Sequence, residues 1–357
     1  MNVLHYANYG APYEGNFIQS LKCLNRRLRS HGEQMYLMLE KKPTTAAWHQ
    51  DVSEGGLPIS YIDTNGSGCV SQIRRFIEKN QIDVIHLHFA MLSAVIRFQL
   101  AVLGRKTKLV VHFHNHLLPP KIFIKKLAMT GCKLCCCSQS VADGLREQGF
   151  SEKNICTAEN AIDFTRLDRI DQDVLASGMF DTDRFKLLMF GFDYERKGVD
   201  VVMKAIESLP GEDKGIQLYI SVSSRLEQVK KRILEDFGSM PQWVTILPPC
   251  NEIATYYKNT DAFISASREE GFCYALIEAA YCGTEIIASK IPAQKDLKLS
   301  NAHWFESGDV EGLRQILMEL PSREKSAQKL DAQREEVVRR YDLSKWAQTL
   351  DELYHHM

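Results

Sequence analysis

Short apolar runs rich in Val, Ile and Leu alternate along this chain with longer amphipathic stretches, the pattern of parallel strands covered by helices. In the first half NVLHYAN, EQMYLMLE, DVIHLHF, KLVVHFH, KLCCCS and NICTAEN predict strands. Among the intervening stretches, FIQSLKCLNRRLRSHG predicts a helix, because Ile18, Leu21, Leu24 and Leu28 recur at helical spacing and Gly32 supplies the stop. From Phe164 to Phe185 the period loosens into polar and charged residues, which marks a domain boundary. Beyond it KLLMFGF, IQLYISV, WVTILPP, AFISAS, TEIIAS and HWFES predict a second series of strands. The fold class that follows is α/β, with two Rossmann-like, doubly wound domains over 1–170 and 180–338. The helical tail, about 340–357, is expected to cross back to the first domain. Ligands of such sheets bind at the carboxyl ends of the strands, so a shared ligand would sit in a central cleft.

Composition narrows the class. The 357 residues, 45% hydrophobic and 25% charged, are enough for two ordinary globular cores. No apolar run reaches about 18 residues, and the first residues lack the regions of a signal peptide, so a cytoplasmic protein is expected. Cys135, Cys136 and Cys137 fall in one strand, where alternation sends neighbours to opposite faces. Cys132 and Cys135 have CxxC spacing, but no second pair follows, so reduced thiols and no metal are expected. Through Arg169 there are 21 Lys and Arg against 14 Asp and Glu; beyond it, 23 against 31. The basic half suits an anionic membrane face or a phosphorylated acceptor. Nucleic acid is not an expected partner, since no aromatic–basic interleaving accompanies the charge.

The chemistry concentrates in TDAFISASREEGFCYALIEAAYCGTEIIAS, which reads as strand, tight loop, helix, strand. The loop holds Glu270 and Gly271, and a helix opens at about Phe272. First-turn amides and the helix dipole favour a diphosphate, and glycine at 271 permits close approach of a ligand. Glu278 lies eight residues after Glu270, so the two carboxylates can reach different parts of one extended ligand. Loop and solvated-helix charges are the plainer reading, but the surroundings of Glu278, CYALIEAAYCG, are nearly all apolar, and a buried glutamate needs a partner.

EEGFCYALIEAAYCG resembles the E-x7-E signature of the retaining GT-B glycosyltransferases of family four, in its spacing, Gly271-Phe272, Glu278-Ala279 and Gly283. The resemblance implies a nucleotide-diphospho-sugar donor, with Glu270 on the sugar hydroxyls and Glu278 on the ribose. It places the amides of Cys273, Tyr274, Ala275 and Leu276, beside Gly271 and Phe272, on the phosphates. Cys273 stands where the family commonly carries glycine or another small residue. FGFDYERKGVDVVMKAI resembles the family's phosphate clamp at Lys197 and Gly198, but Phe192 occupies the place of the arginine. Arg196 is the candidate to replace that charge. Gly15, in NYGAPYEGNF, matches the loop that the family lays over the donor, and His114, in VHFHN, matches the histidine lining its sugar site. His112, His114 and His116 share one strand face.

The implied reaction is a front-face displacement with no enzyme nucleophile, no cofactor and no metal; His114 and Glu270 are the candidate catalytic residues. LLPPKIFIKKLAM interleaves Ile122, Phe123, Ile124 and Leu127 with Lys121, Lys125 and Lys126 after a proline pair. This segment suits peripheral contact with the inner face of a membrane and a saccharide or lipid-linked acceptor, in surface polysaccharide or glycolipid assembly. A GT-B epimerase or phosphorylase, or a non-catalytic binder of nucleotide sugars, remain the alternatives; Phe192 favours the last.

Overall fold

The computed structural model describes the chain apart from residues 12–13, 42–45, 116–117, 119, 130, 213, 249, 251 and 324–325, and the side chains at 124, 126, 128 and 129. His116, Pro119, Pro249 and the side chains of Ile124 and Lys126 therefore lie outside the described residues. The chain forms two compact units, Met1–Asp163 with Tyr341–Met357, and Phe164–Arg340.

The first unit is built on a parallel seven-stranded sheet: β1 (Asn2–Ala7), β2 (Gln34–Glu40), β3 (Ile59–Ile62), β4 (Val84–His88), β5 (Lys108–Phe113), β6 (Lys133–Cys136) and β7 (Ile155–Thr157). Their order is β3-β2-β1-β4-β5-β6-β7, so the winding reverses between β1 and β4. Six of these strands coincide with apolar runs in the sequence. β3 does not: ISYI is a short edge strand with Tyr61 exposed, and such a segment carries little hydrophobic signal.

The helix Gly15–Ser30 buries Ile18, Leu21, Leu24 and Leu28 completely on this sheet, each such burial contributing about 2 kcal/mol. It ends at Ser30, where the His31 amide turns back to the Leu28 carbonyl and Gly32 takes φ 77°. The last helix, Leu343–His355, is capped by Asp342 accepting from the Ser344 amide. Its Trp346, Ala347, Leu350 and Tyr354 share one core with Val3, Val84, Val110 and the first helix. Arg27 Nε donates to Asp351 Oδ2 at 2.6 Å, joining the two helices.

The second unit has six parallel strands: β8 (Phe185–Phe190), β9 (Ile216–Ser221), β10 (Val244–Leu247), β11 (Ala262–Ser265), β12 (Glu285–Ser289) and β13 (Ala302–Phe305). Their order is β10-β9-β8-β11-β12-β13, with the reversal between β8 and β11. Residues 164–170, which the sequence pattern groups with the first half, pack into this unit. Phe164 stacks on Tyr281 with ring centres 4.7 Å apart, and Lys258 Nζ donates to the Leu167 carbonyl at 3.0 Å.

Candidate functional site

In the second unit the candidate residues gather at the winding reversal, where the loops after β8 and β11 meet. Gly191 follows β8 closely packed, since a Cβ there would approach the Val199 side chain to 3.1 Å. Gly198 takes φ 68° against the backbone of Ala266, and the Arg268 amide donates to the Arg196 carbonyl at 2.8 Å. The two loops are thereby locked together and bring Lys197 to Glu270.

Glu270 is nearly enclosed and multiply held. Lys197 Nζ pairs with its Oε1, the Ser267 hydroxyl donates to the same oxygen at 2.8 Å, and an Arg196 guanidinium nitrogen lies 3.6 Å from Oε2. Behind it, Gln294 Nε2 donates to Ser265 Oγ at 2.7 Å, and Ser265 Oγ lies 3.4 Å from Ser267 Oγ. Phe192, in place of the expected arginine, underlies both cations: the Arg196 guanidinium is 5.3 Å and Lys197 Nζ 4.8 Å from its ring centre. The sequence offered no sign of this platform, because an aromatic at that position reads only as a missing charge.

The helix spans Tyr274–Tyr281, opening slightly later than the sequence suggests; Gly271 and Phe272 are buried in the loop and Cys273 occupies the cap. Burial, with the Glu270 charge adding to it, pushes the Cys273 thiol up to about 11, so it stays protonated. Tyr274 and Ala275 on the first turn are half-buried, whereas Leu276 is fully buried.

Glu278 is buried and does have partners. Arg166 pairs with its Oε1, and the Tyr257 hydroxyl donates to Oε2 at 3.1 Å. Burial and the Glu278 charge hold the Tyr257 phenol well above its ordinary range. Sequence reasoning missed Arg166, which lies in the charged stretch that reads as a boundary.

In the first unit Gly15 opens its helix with φ 59°, and the Tyr9 hydroxyl donates to the Glu14 carbonyl at 3.0 Å in the preceding loop. His114 lies just past β5, with Phe89, just past β4, stacked on it at 4.1 Å. Phe89 itself adopts φ 51°, a conformation that costs a non-glycine residue about 1–3 kcal/mol and tends to mark functional positions. Burial drives His114 down to about 3, so the ring is neutral.

His114 belongs to a layer of five histidines: His5 on β1, His86 and His88 on β4, and His112 on β5 complete it. Register sets His5 beside His86, His88 beside His112, and His112 beside Cys135. Three overlapping sets in this layer, His5/His86/His88, His86/His112/Cys135 and His88/His112/His114, bring ligand atoms within 4.8 Å of one another. His5 was overlooked in the sequence, although its place in NVLHYAN has the same alternation as the β4 pair.

Two family models match the chain: Glycosyltransferase Family 4 over residues 26–166 and Glycosyl transferases group 1 over 173–337. The D-inositol 3-phosphate glycosyltransferase of an Arthrobacter species is 30% identical over 113 residues, 30% of this chain and 27% of that one. The chain thus matches only about a quarter of that relative's length. The phosphatidyl-myo-inositol mannosyltransferase of Mycobacterium leprae is 22% identical over 92% of this chain and 89% of its own. Among solved structures, a Rickettsia africae glycosyltransferase has a TM-score of 0.81 at 17% identity, covering 99% of this chain and 98% of that one. Anabaena HepE in complex with UDP has 0.80 at 16% over the whole of both. Two Rossmann-like sheets of this order, matched in full by GT-B structures, and two family models that between them run through both units, lead to one conclusion: the chain belongs to the group 1, family 4 glycosyltransferases.

Proposed function

We propose that the protein is a retaining glycosyltransferase, moving a sugar from a nucleotide-diphospho-sugar to an acceptor hydroxyl in glycolipid or surface-polysaccharide assembly. The observation carrying this reading is Glu270, held by Lys197, Arg196 and Ser267 at the winding reversal of the second sheet and just ahead of the helix Tyr274–Tyr281. That is where doubly wound sheets bind ligands, and helix-start amides beside two cations suit a diphosphate. The sugar hydroxyls donate to Glu270 and the ribose to Glu278, both carboxylates having acceptor sites for more than one donor.

In the proposed step the bond from the anomeric carbon to the diphosphate breaks and the acceptor oxygen bonds on the same face. The acceptor proton passes to an oxygen of the departing diphosphate. Lys197 and Arg196 stabilise the charge growing on that group, and no protein nucleophile or metal is required. Neutral His114 positions the sugar.

The HepE structures hold UDP and UDP-glucose, which makes a UDP-sugar the first donor to test. The inositol-directed relatives favour a polyol or phospholipid acceptor. Association with an anionic membrane surface is favoured by the basic first half and by exposed Ile122 beside Lys121 and Lys125. The exposed stripe Met91, Leu92, Ile96, Leu100 and Leu103 on and around the helix Leu92–Val102 adds to it. Among the described residues no helix is long and apolar enough to cross a membrane.

A thermal-shift screen of nucleotide sugars, followed by assay of nucleoside diphosphate release with and without acceptor, tests the proposal. Donor-specific stabilisation with acceptor-dependent release is expected. Stabilisation without turnover under any acceptor would instead favour a binding protein.

A further inference from the structure

One hydrogen-bond chain threads the histidine layer of the first unit. His114 Nε2 lies 3.1 Å from His88 Nδ1, and His88 Nε2 lies 2.9 Å from His5 Nδ1. His5 Nε2 is 3.2 Å from the Tyr354 hydroxyl, which is 2.6 Å from His86 Nδ1. His86 Nε2 then lies 3.2 Å from His112 Nδ1, and the chain stops at His112 Nε2, a buried nitrogen with no hydrogen-bond partner among the described residues. Every internal ring uses each nitrogen once.

Burial holds all five rings neutral. A neutral imidazole has one N–H and one bare nitrogen, and a phenol has one proton to give. With the buried phenol proton spent on one of its two links, the direction of one link fixes all the others, so two polarities exist. Either polarity leaves one unmet group at His112. The Tyr354 links distinguish them: 2.6 Å lies within the range of an O–H donor and below that of an N–H donor, whereas 3.2 Å suits N–H. Tyr354 therefore donates to His86 Nδ1 and accepts from His5 Nε2. Followed outward, His5 Nδ1 accepts from His88 Nε2, and His88 Nδ1 accepts from His114 Nε2.

We propose that this chain fixes His114 in a single tautomer, with its proton on Nε2 and a bare Nδ1 that accepts a hydrogen bond from a ligand hydroxyl; His5, His86, His88, His112 and Tyr354 are positioning residues for that contact. Phe89, stacked on His114, sets the plane of the ring. The ligand's identity as a sugar rests on the proposed transferase function, whereas the tautomer does not.

The test is long-range nitrogen–proton NMR of the imidazoles in uniformly labelled full-length protein near neutral pH, before and after adding a nucleotide sugar found by thermal shift. His114 is expected to show a protonated Nε2 and a bare Nδ1, with Nδ1 shifting on ligand binding. In Tyr354→Phe, which keeps the buried ring but cuts the chain, His114 is expected to become a mixture of tautomers, and the donor KM to rise roughly threefold to tenfold. A proton on Nδ1 in the wild type, a wild-type mixture, or an unchanged His114 spectrum in a folded Tyr354→Phe would overturn the proposal. So would a stoichiometric metal found by elemental analysis and lost on substituting His86. A single tautomer in a protein that binds no nucleotide sugar would sink the transferase reading and leave the chain of tautomers standing.

Discussion

Gly198 and Ala266 are so close that a side chain on the glycine would overlap the alanine's carbonyl oxygen. The contact, with φ 68° at Gly198, is what brings Lys197 to Glu270. Gly198→Ala should therefore cost stability twice, about 1–2 kcal/mol for the left-handed backbone and more for the backbone overlap. A loss of about 2–4 kcal/mol in denaturant unfolding is expected, together with loss of nucleotide-sugar binding. Unaltered stability would mean that the loops part easily and do not set the Lys197–Glu270 geometry.

Arg166 and Glu278 make the other key ion pair of the second unit, with the carboxylate buried and the guanidinium about one-third exposed. Arg166→Ala removes the cation and leaves Glu278 enclosed, a change that costs roughly 3–5 kcal/mol when the remaining charge is buried. Partial exposure of Arg166 puts the expected value at or below the low end. Glu278→Ala should abolish donor-induced thermal stabilisation while losing less stability than Arg166→Ala. A donor shift that survives in Glu278→Ala would remove Glu278 from the ribose role.

Much of this was legible in the sequence because both units are buried parallel sheets. Their strands read as continuous apolar runs, and among the described strands only the short edge strand β3 escaped. The Glu270 and Glu278 spacing was equally visible, since it lies within one strand–loop–helix segment. What escaped depends on residues distant in sequence: Arg166 is 112 positions from Glu278, and Tyr354 is 349 from His5. Local periodicity carries no trace of such pairings. Phe192 escaped for a different reason, since the cation platform exists only once the turn after β8 folds Arg196 and Lys197 over the ring.

Lys197 and Arg196 are unequal despite being neighbours. Lys197 is largely buried and paired directly with Glu270, whereas Arg196 is more exposed and shared among Asp193, the Glu269 carbonyl and Glu270. A cation held in a water-poor site contributes more to stabilising transition-state charge than an exposed one. Lys197→Met should lower kcat by about 100-fold or more, and Arg196→Met by about tenfold, in steady-state kinetics with saturating donor. Phe192→Leu should fall between wild type and Arg196→Met, because it removes the platform and neither charge. A larger loss at Arg196 than at Lys197 would reverse the assignment.

The histidine layer should make the first unit sensitive to mild acid. Burial lowers His5 and His114 to about 3 and holds His86, His88 and His112 well below their ordinary value. Unfolded histidine titrates near about 6.5, so below that pH the unfolded chain binds protons that the folded unit refuses. Stability contributed by these rings is therefore fully present above about pH 6.5 and is lost as pH falls toward the folded values. Each neutral ring costs up to about 1.4 kcal/mol per pH unit, so five of them approach roughly 7 kcal/mol at about pH 5.5, within the range of a whole domain's stability. Circular dichroism against pH should show an acid transition between about pH 5 and 6, above the carboxylate range, with uptake of several protons. His5→Gln should move the midpoint downward by removing one titrating ring. A wild-type midpoint below about pH 4 would show that the folded unit admits protons to the layer without unfolding.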